Sequence, residues 1–244
     1  MNLNLINRTD IEMFPGNERW YRIKGEHLWK PSVTTMIGAV LSKGEIYDRW
    51  MGNQPSYDAA CATRDKAGAR GTLVHSLCED YMNGKTVHSD EAEIAKRMMS
   101  FDHWMNQYNP NIIAVEAKLI HKDVPFSGTT DIICEINGVM SIVDIKTGMA
   151  HDEHGLQLMC YKRLWDHIYP SNPIKKIYGL YLKGTWITKV EPIFKEYKDS
   201  PFVIKALYDL WTWKKKGGPK RQVPFKTTFR RRAQNEKRNL EEVL

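Results

Sequence analysis

The chain has 244 residues, 42% of them hydrophobic and 27% charged, with 8 Trp, 11 Tyr and 7 Phe. Such a composition excludes a wholly disordered chain and allows one large domain around a buried core. The formal net charge is +7, but the stretch from Lys214 to Leu244 holds 11 Lys and Arg against 3 Glu, so the first 213 residues are close to neutral.

The first 30 residues read as irregular, with a short hairpin pairing Trp20–Ile23 with the segment near Leu28-Trp29. Pro31-Ser32 opens an apolar helix through about Leu41, with Ser32 as its N-cap. Pro55-Ser56 starts a long helical stretch, interrupted at Gly68 and Gly71 and ending near Met82. A further helix spans about Ser89 to Tyr108 and stops at Asn109-Pro110.

The pattern then changes. Ile112 to Ile120, Gly128 to Ile136 and Val139 to Ile145 are rich in β-branched residues and read as strands. Asn137-Gly138 between the last two is a strong two-residue hairpin signal. A helix follows from about Glu153 to Ile168, then strands at Lys176–Leu182 and Trp186–Pro192, and a helix from Pro201 to Trp213. The expected class is α/β, a central mixed sheet flanked by helices. The expected organisation is one domain over 1–213 (mainly helical in 1–110, sheet-containing in 111–192, a C-terminal helix in 193–213) followed by a basic tail, 214–244.

The hairpin carries the chemistry. A two-residue turn at Asn137-Gly138 sets Asp131 opposite Asp144, with Cβ atoms roughly 4.5–5.5 Å apart on one face. Lys146, two residues beyond Asp144, shares that face. The flanking Ile132, Ile133, Val143 and Ile145 are apolar, so the acidic pair is expected to be buried. Facing like charges are costly unless a positive group lies between them, and a hard divalent cation is the usual remedy. The other reading is a solvated acidic pair at a sheet edge.

The Asp131…Asp144-Ile145-Lys146 arrangement resembles the PD-(D/E)XK nuclease superfamily, in its RecB-like branch. Gly71-Thr72-Leu73-Val74-His75-Ser76-Leu77-Cys78-Glu79 is similar to that family's GTxxHxxxE helix. Glu116 falls in the preceding strand, Gly128-Thr129-Thr130-Asp131 matches the GxxD strand, and Gln157-Leu158-Met159-Cys160-Tyr161 the QxxxY helix. These matches come in the family's order over about 90 residues. Pro31-Ser32-Val33-Thr34-Thr35 also resembles a segment of small phage and mitochondrial genome maintenance exonucleases.

The resemblance implies a restriction-endonuclease-like core and one or two Mg²⁺ or Mn²⁺ ions held by His75, Asp131, Asp144 and the carbonyl of Ile145. Lys146, Asp144, Asp131, Glu116, Gln157 and Tyr161 are the implied catalytic group. Lys146 would position or deprotonate the attacking water, or stabilise the phosphate. Each residue also has a structural reading: His75 and Glu79 as a helical i, i+4 pair, Glu116 as a partner of Lys118 or Lys146, and Gln157 with Tyr161 as packed neighbours. His151 and His154 read as a polar loop and helix start. Cys61, Cys78, Cys134 and Cys160 are far apart, so neither a disulfide framework nor an iron–sulfur cluster is expected, and the setting is read as intracellular and cytoplasmic (host cytoplasm for a phage protein).

The implied activity is metal-dependent DNA hydrolysis, by an exonuclease acting on single strands or free ends in replication, recombination or repair. The alternatives are a structure-specific endonuclease and a non-catalytic nucleic-acid-binding protein on a nuclease fold. DNA is the expected partner and a membrane is not, since no apolar run approaches the roughly 18 residues of a span and the tail lacks an apolar face. Lys214, Lys215, Lys216, Arg230, Arg231 and Arg232 are the expected phosphate contacts.

Overall fold

A computed structural model describes residues 8–14, 18–184 and 191–215. Five strands form the central sheet, in the order β4 (Asn111–Ile120), β5 (Ser127–Ile136), β6 (Val139–Lys146), β7 (Lys176–Tyr181) and β8 (Ile193–Tyr197). Only the β6–β7 pair is parallel, so the sheet is mixed and the α/β expectation holds. The β5–β6 hairpin turns on Asn137 (φ 52°) and Gly138 (φ 76°), the two left-handed residues that a type I′ turn needs. Its register runs from Ile136↔Val139 to Ile132↔Val143, as the turn dictates.

Side-chain alternation along these strands feeds two cores. On one face Ile133 and Ile142 pack with helices α1 (Val33–Val40), α5 (Asp152–Ile168) and α6 (Pro201–Lys214). On the other, Ile132, Cys134 and Val143 pack with α3 (Tyr57–Met82) and α4 (Ala92–Tyr108). Trp104 and Trp165 are fully buried, one in each core. The sheet is thereby a rigid slab whose residues cannot shift face without exposing an apolar row.

The helix ends follow local chemistry. Ser32 Oγ accepts from the Thr35 N–H at 3.0 Å and Ser56 Oγ from the Ala59 N–H at 3.1 Å, so both act as N-caps. Asn109, at φ 40°, closes α4 just before Pro110.

Several expectations need correction. α3 runs unbroken through Gly68 and Gly71, because each glycine costs a helix only about 1 kcal/mol and the flanking Ala- and Arg-rich residues favour it. The N-terminal segment forms a three-stranded sheet, β1 (Ile11–Phe14), β2 (Trp20–Ile23) and β3 (Lys30–Pro31), so β2 pairs with Lys30–Pro31 rather than with residues 28–29. Lys30 is buried and its ammonium donates to the carbonyls of His121, Lys122 and Val124, fastening this small sheet to the β4–β5 loop. The short helix α2 (Gly44–Gly52) was not expected. Of the strand expected over 186–192, residues 186–190 lie outside the described residues, and 191–192 are not in a strand. The sheet ends on β8, in the part of the 193–213 segment that precedes the helix expected from about Pro201.

Candidate active site

Three neighbouring strands place three carboxylates side by side. The β4–β5 ladder pairs Val115↔Ile132 and Ala117↔Thr130, leaving Glu116 level with Asp131. The β5–β6 ladder ends at Ile132↔Val143, leaving Asp131 level with Asp144. Glu116 and Asp131 are not paired positions, and Asp144 pairs only on its other side, with Gly179 of β7. Glu116 has φ 49°, a left-handed conformation that costs a non-glycine residue about 1–3 kcal/mol and is found where function imposes it. The Asp131 carboxylate takes the Ile145 N–H at 2.6 Å. The Ile145 side chain lies in the α3/α4 core, so only its backbone faces the carboxylates.

Helix α3 brings His75 to this row. His75 Nδ1 lies 3.5 Å from Asp131 Oδ2, and one ligand atom from each of His75, Glu116 and Asp131 falls within 4.8 Å of the others. Glu79, one turn along α3, lines the same cleft of about 460 Å³. Gly71 faces Thr147, just beyond β6, where an added Cβ would stand 3.4 Å from Thr147 Oγ1, so this turn of α3 lies against the end of that strand.

Helix α5 supplies the opposite wall. Lys146 Nζ is 2.5 Å from Asp144 Oδ2 and donates to Gln157 Oε1 at 3.1 Å. Gln157 Nε2 in turn donates to Asp144 Oδ1 at 3.3 Å and to the Tyr161 hydroxyl at 2.9 Å. Tyr161 is buried over Gly128, where an added Cβ would sit 2.5 Å from the ring. The glycine of the GxxD strand and the tyrosine of the QxxxY helix are thus two halves of one contact.

Burial sets the charges. It pushes the Glu116 carboxyl up to about 7, helped by the charge of Asp131, and the Asp144 carboxyl up to about 6 despite Lys146. Burial also works against ionised Asp131, but His75, Lys146 and the Ile145 N–H outweigh it and hold this carboxyl below the ordinary range. For His75 and Lys146, burial is outweighed by the carboxylates they face, so both hold their protons more firmly than usual. The site therefore pairs a lysine whose proton is held more firmly than usual with two carboxyl groups, Glu116 and Asp144, that ionise at higher pH than usual. Asp144 Oδ2 is buried, with the Lys146 ammonium 2.5 Å away as its close charged partner. The donor set of one imidazole and neighbouring carboxylates, His75, Glu116 and Asp131, fits a hard divalent cation.

The remaining expected residues are placed as follows. His151 caps α5 and His154 sits in its first turn, where His154 Nδ1 is 2.9 Å from the Tyr181 hydroxyl; both read as a helix start. Lys214 donates to the Ala39 carbonyl at 3.0 Å and Lys215 pairs with Glu18, so both engage the protein itself. Lys216, Arg230, Arg231 and Arg232 lie outside the described residues. The four cysteines are free. No described helix is long and apolar enough to cross a membrane. Sequence reasoning missed Arg19, whose guanidinium donates to Thr34 Oγ1 at 3.0 Å and lines the cleft. No motif singles out Arg19, although Thr34 lies within the Pro31–Thr35 segment.

No family model matches the chain, and no curated protein matches it. Among solved structures, an alkaline exonuclease from Laribacter hongkongensis (LHK-Exo) aligns over 88% of this chain and 95% of its own, at 8% identity and a TM-score of 0.41. The same enzyme in complex with dAMP aligns over 76% and 85%, at 10% identity and a TM-score of 0.41. A phage-related exonuclease from Haemophilus somnus 129PT aligns over 78% and 92%, at 10% identity and a TM-score of 0.40. The geometry stands by itself: three strands, α3 and α5 converge on one row of buried and half-buried carboxylates with a lysine and a histidine at its sides.

Proposed function

We propose that the chain is a cation-dependent nuclease that hydrolyses phosphodiester bonds in DNA, acting as an exonuclease on single strands or free ends. The observation that carries this reading is the row Glu116–Asp131–Asp144, with both aspartates buried and unpaired between β5 and β6 and with Lys146 2.5 Å from Asp144. Structural carboxylates do not need such an arrangement, which costs desolvation and like-charge repulsion.

His75, Glu116 and Asp131, with Asp144 and the Ile145 carbonyl beside them, would hold Mg²⁺ or Mn²⁺. Such an ion supplies charge neutralisation at the phosphate and an acidified water. The chain's own residues do the rest. Lys146, held charged by Asp144 and Asp131, faces the negative charge that grows on the phosphoryl oxygens during attack. That favours electrostatic stabilisation and positioning over a role as a proton acceptor. Gln157 holds both Lys146 and Asp144, and Tyr161 holds Gln157, so α5 fixes the lysine's position. Arg19, on the far wall, adds a second positive group.

The test is digestion of end-labelled single- and double-stranded DNA, with free or blocked ends, in Mg²⁺, in Mn²⁺ and in chelator. Stepwise shortening from free ends that stops in chelator supports the proposal. Internal cuts in end-blocked substrates would make the chain an endonuclease, and binding without cleavage under every condition would refute the nuclease reading.

A further inference from the structure

Helix α2 buries none of its residues, yet Ile46, Tyr47 and Trp50 share one side of it. Across from them stands Met149, in the segment joining β6 to α5, and Ile37 of α1 lies between. Together these residues line an open groove of about 580 Å³, inside the roughly 300–1,000 Å³ range of small-molecule sites. Ile46 and Met149 are 69% and 66% exposed, an apolar patch with no described covering. The Tyr47 and Trp50 rings are 5.6 Å apart at 40°, and the Lys43 ammonium sits 4.5 Å from the Tyr47 centroid.

This groove adjoins the acidic cleft, because Thr34 and Gln157 line both. Gln157 is also the residue that holds Lys146 and Asp144. A phosphodiester placed against Lys146 therefore has an aromatic, apolar wall continuing from the residue that orients the lysine. Two adjoining chambers, one able to hold a cation and a phosphate and the other lined by rings with a lysine at the rim, match the two halves of a nucleotide. A base can stack on such rings whatever its identity, since every base has a π-face.

We propose that the groove between α2 and the 147–151 segment is a stacking subsite for an unpaired nucleobase of the strand held in the cleft, with Tyr47 and Trp50 as its platform. This rests on the nuclease reading and deepens it. A base inside a duplex is already stacked and paired, so it reaches the groove only after release from its partner. The subsite thus favours single strands and frayed ends over intact duplex.

The experiment uses a fluorescein-labelled oligothymidylate and the same strand carrying abasic sites, bound to the full chain with Ca²⁺ replacing Mg²⁺ and Mn²⁺. Wild type is expected to bind the abasic strand about tenfold more weakly, the effect of losing roughly one stacked base. Tyr47→Ala and Trp50→Ala should bind both strands alike, while Trp50→Phe, which keeps a ring, should retain the discrimination. Because neither Tyr47 nor Trp50 is fully buried, the variants should keep the wild-type circular dichroism and a melting temperature close to it. Equal binding of both strands by wild type would overturn the inference, as would discrimination that survives both alanine substitutions. So would sedimentation showing a wild-type dimer that Trp50→Ala converts to monomer, since the groove would then be a self-interface. A wild type that cuts DNA without sensing abasic sites sinks this inference alone; one that neither binds nor cuts sinks the nuclease reading with it.

Discussion

The two halves of the β5–β6 hairpin obey different rules. From Ile132 to Val143 the pairing is regular, the turn is ideal, and every second side chain enters one of two apolar cores. One residue further, at Asp131 and Asp144, pairing stops, a carboxylate replaces a carbonyl as the partner of the Ile145 N–H, and charges are buried. The neighbouring strand matches this change, because Glu116 turns left-handed at the same level. The regular half gives the open half a platform that does not relax. Without it, the carboxylates would separate and hydrate rather than remain close together and partly protonated.

The sharpest way to break this contrast is to remove the charge that serves the open half. Lys146→Ala is expected to cut the single-turnover cleavage rate by at least about 100-fold at saturating cation and DNA. Lys146→Arg should rescue poorly, because a planar guanidinium does not fit the place held by Gln157 and Asp144. Near-normal single-turnover cleavage by Lys146→Ala would reduce the lysine to a counter-charge.

A smaller effect should come from the contact that joins the halves to α5. Gly128→Ala puts a Cβ 2.5 Å from the buried Tyr161 ring. Overpacking of this kind costs about 1–3 kcal/mol, read as a melting temperature lowered by several degrees. Since Tyr161 holds Gln157, cleavage should fall as well. A Gly128→Ala variant with unchanged melting and unchanged rate would show that the ring moves freely and sets nothing.

The smallest expected effect is a pH slope of stability. Glu116, Asp144 and His75 all have folded-state pKa values raised above their ordinary ones. Each raised group supports the fold while protonated and withdraws that support as pH rises through its folded pKa. In chelator the melting temperature should therefore fall between about pH 5 and pH 8, by a few degrees, and Glu116→Gln should flatten the slope. Asp131, whose carboxyl is depressed, loses its contribution only at pH values below this window. Adding Mn²⁺ should flatten the wild-type slope, because ligands are held ionised. A melting temperature that rises with pH in chelator would contradict the electrostatic description of the row.

What the sequence showed was local. Asn137-Gly138 determined the hairpin register and so the level of Asp131 and Asp144. Ser32, Ser56 and Asn109 marked helix ends through caps made within a few residues. What it hid was non-local or without pattern. The partners of β2 are segments of four and two residues, too short to show an alternation, and β8 alternates weakly because it is an edge strand carrying Lys195 and Glu196. α2 has no buried stripe to reveal it. Within the site, the ordered motifs pointed to His75, Glu116, Asp131, Asp144, Lys146, Gln157 and Tyr161, and the structure brings these side chains to one cleft. The left-handed Glu116 and the arrival of Arg19 from the N-terminal sheet depend on tertiary placement, which no spacing rule encodes.

The central claim is that the carboxylate row holds a cation and that hydrolysis depends on it. The most direct measurement is single-turnover cleavage of end-labelled DNA at saturating Mn²⁺ by wild type, Asp131→Asn and Asp144→Asn, with DNA binding measured in parallel. The account predicts cleavage by wild type that chelator abolishes, and a loss of at least about 10³-fold in each variant with DNA binding largely retained. Either variant cleaving near the wild-type rate would contradict it.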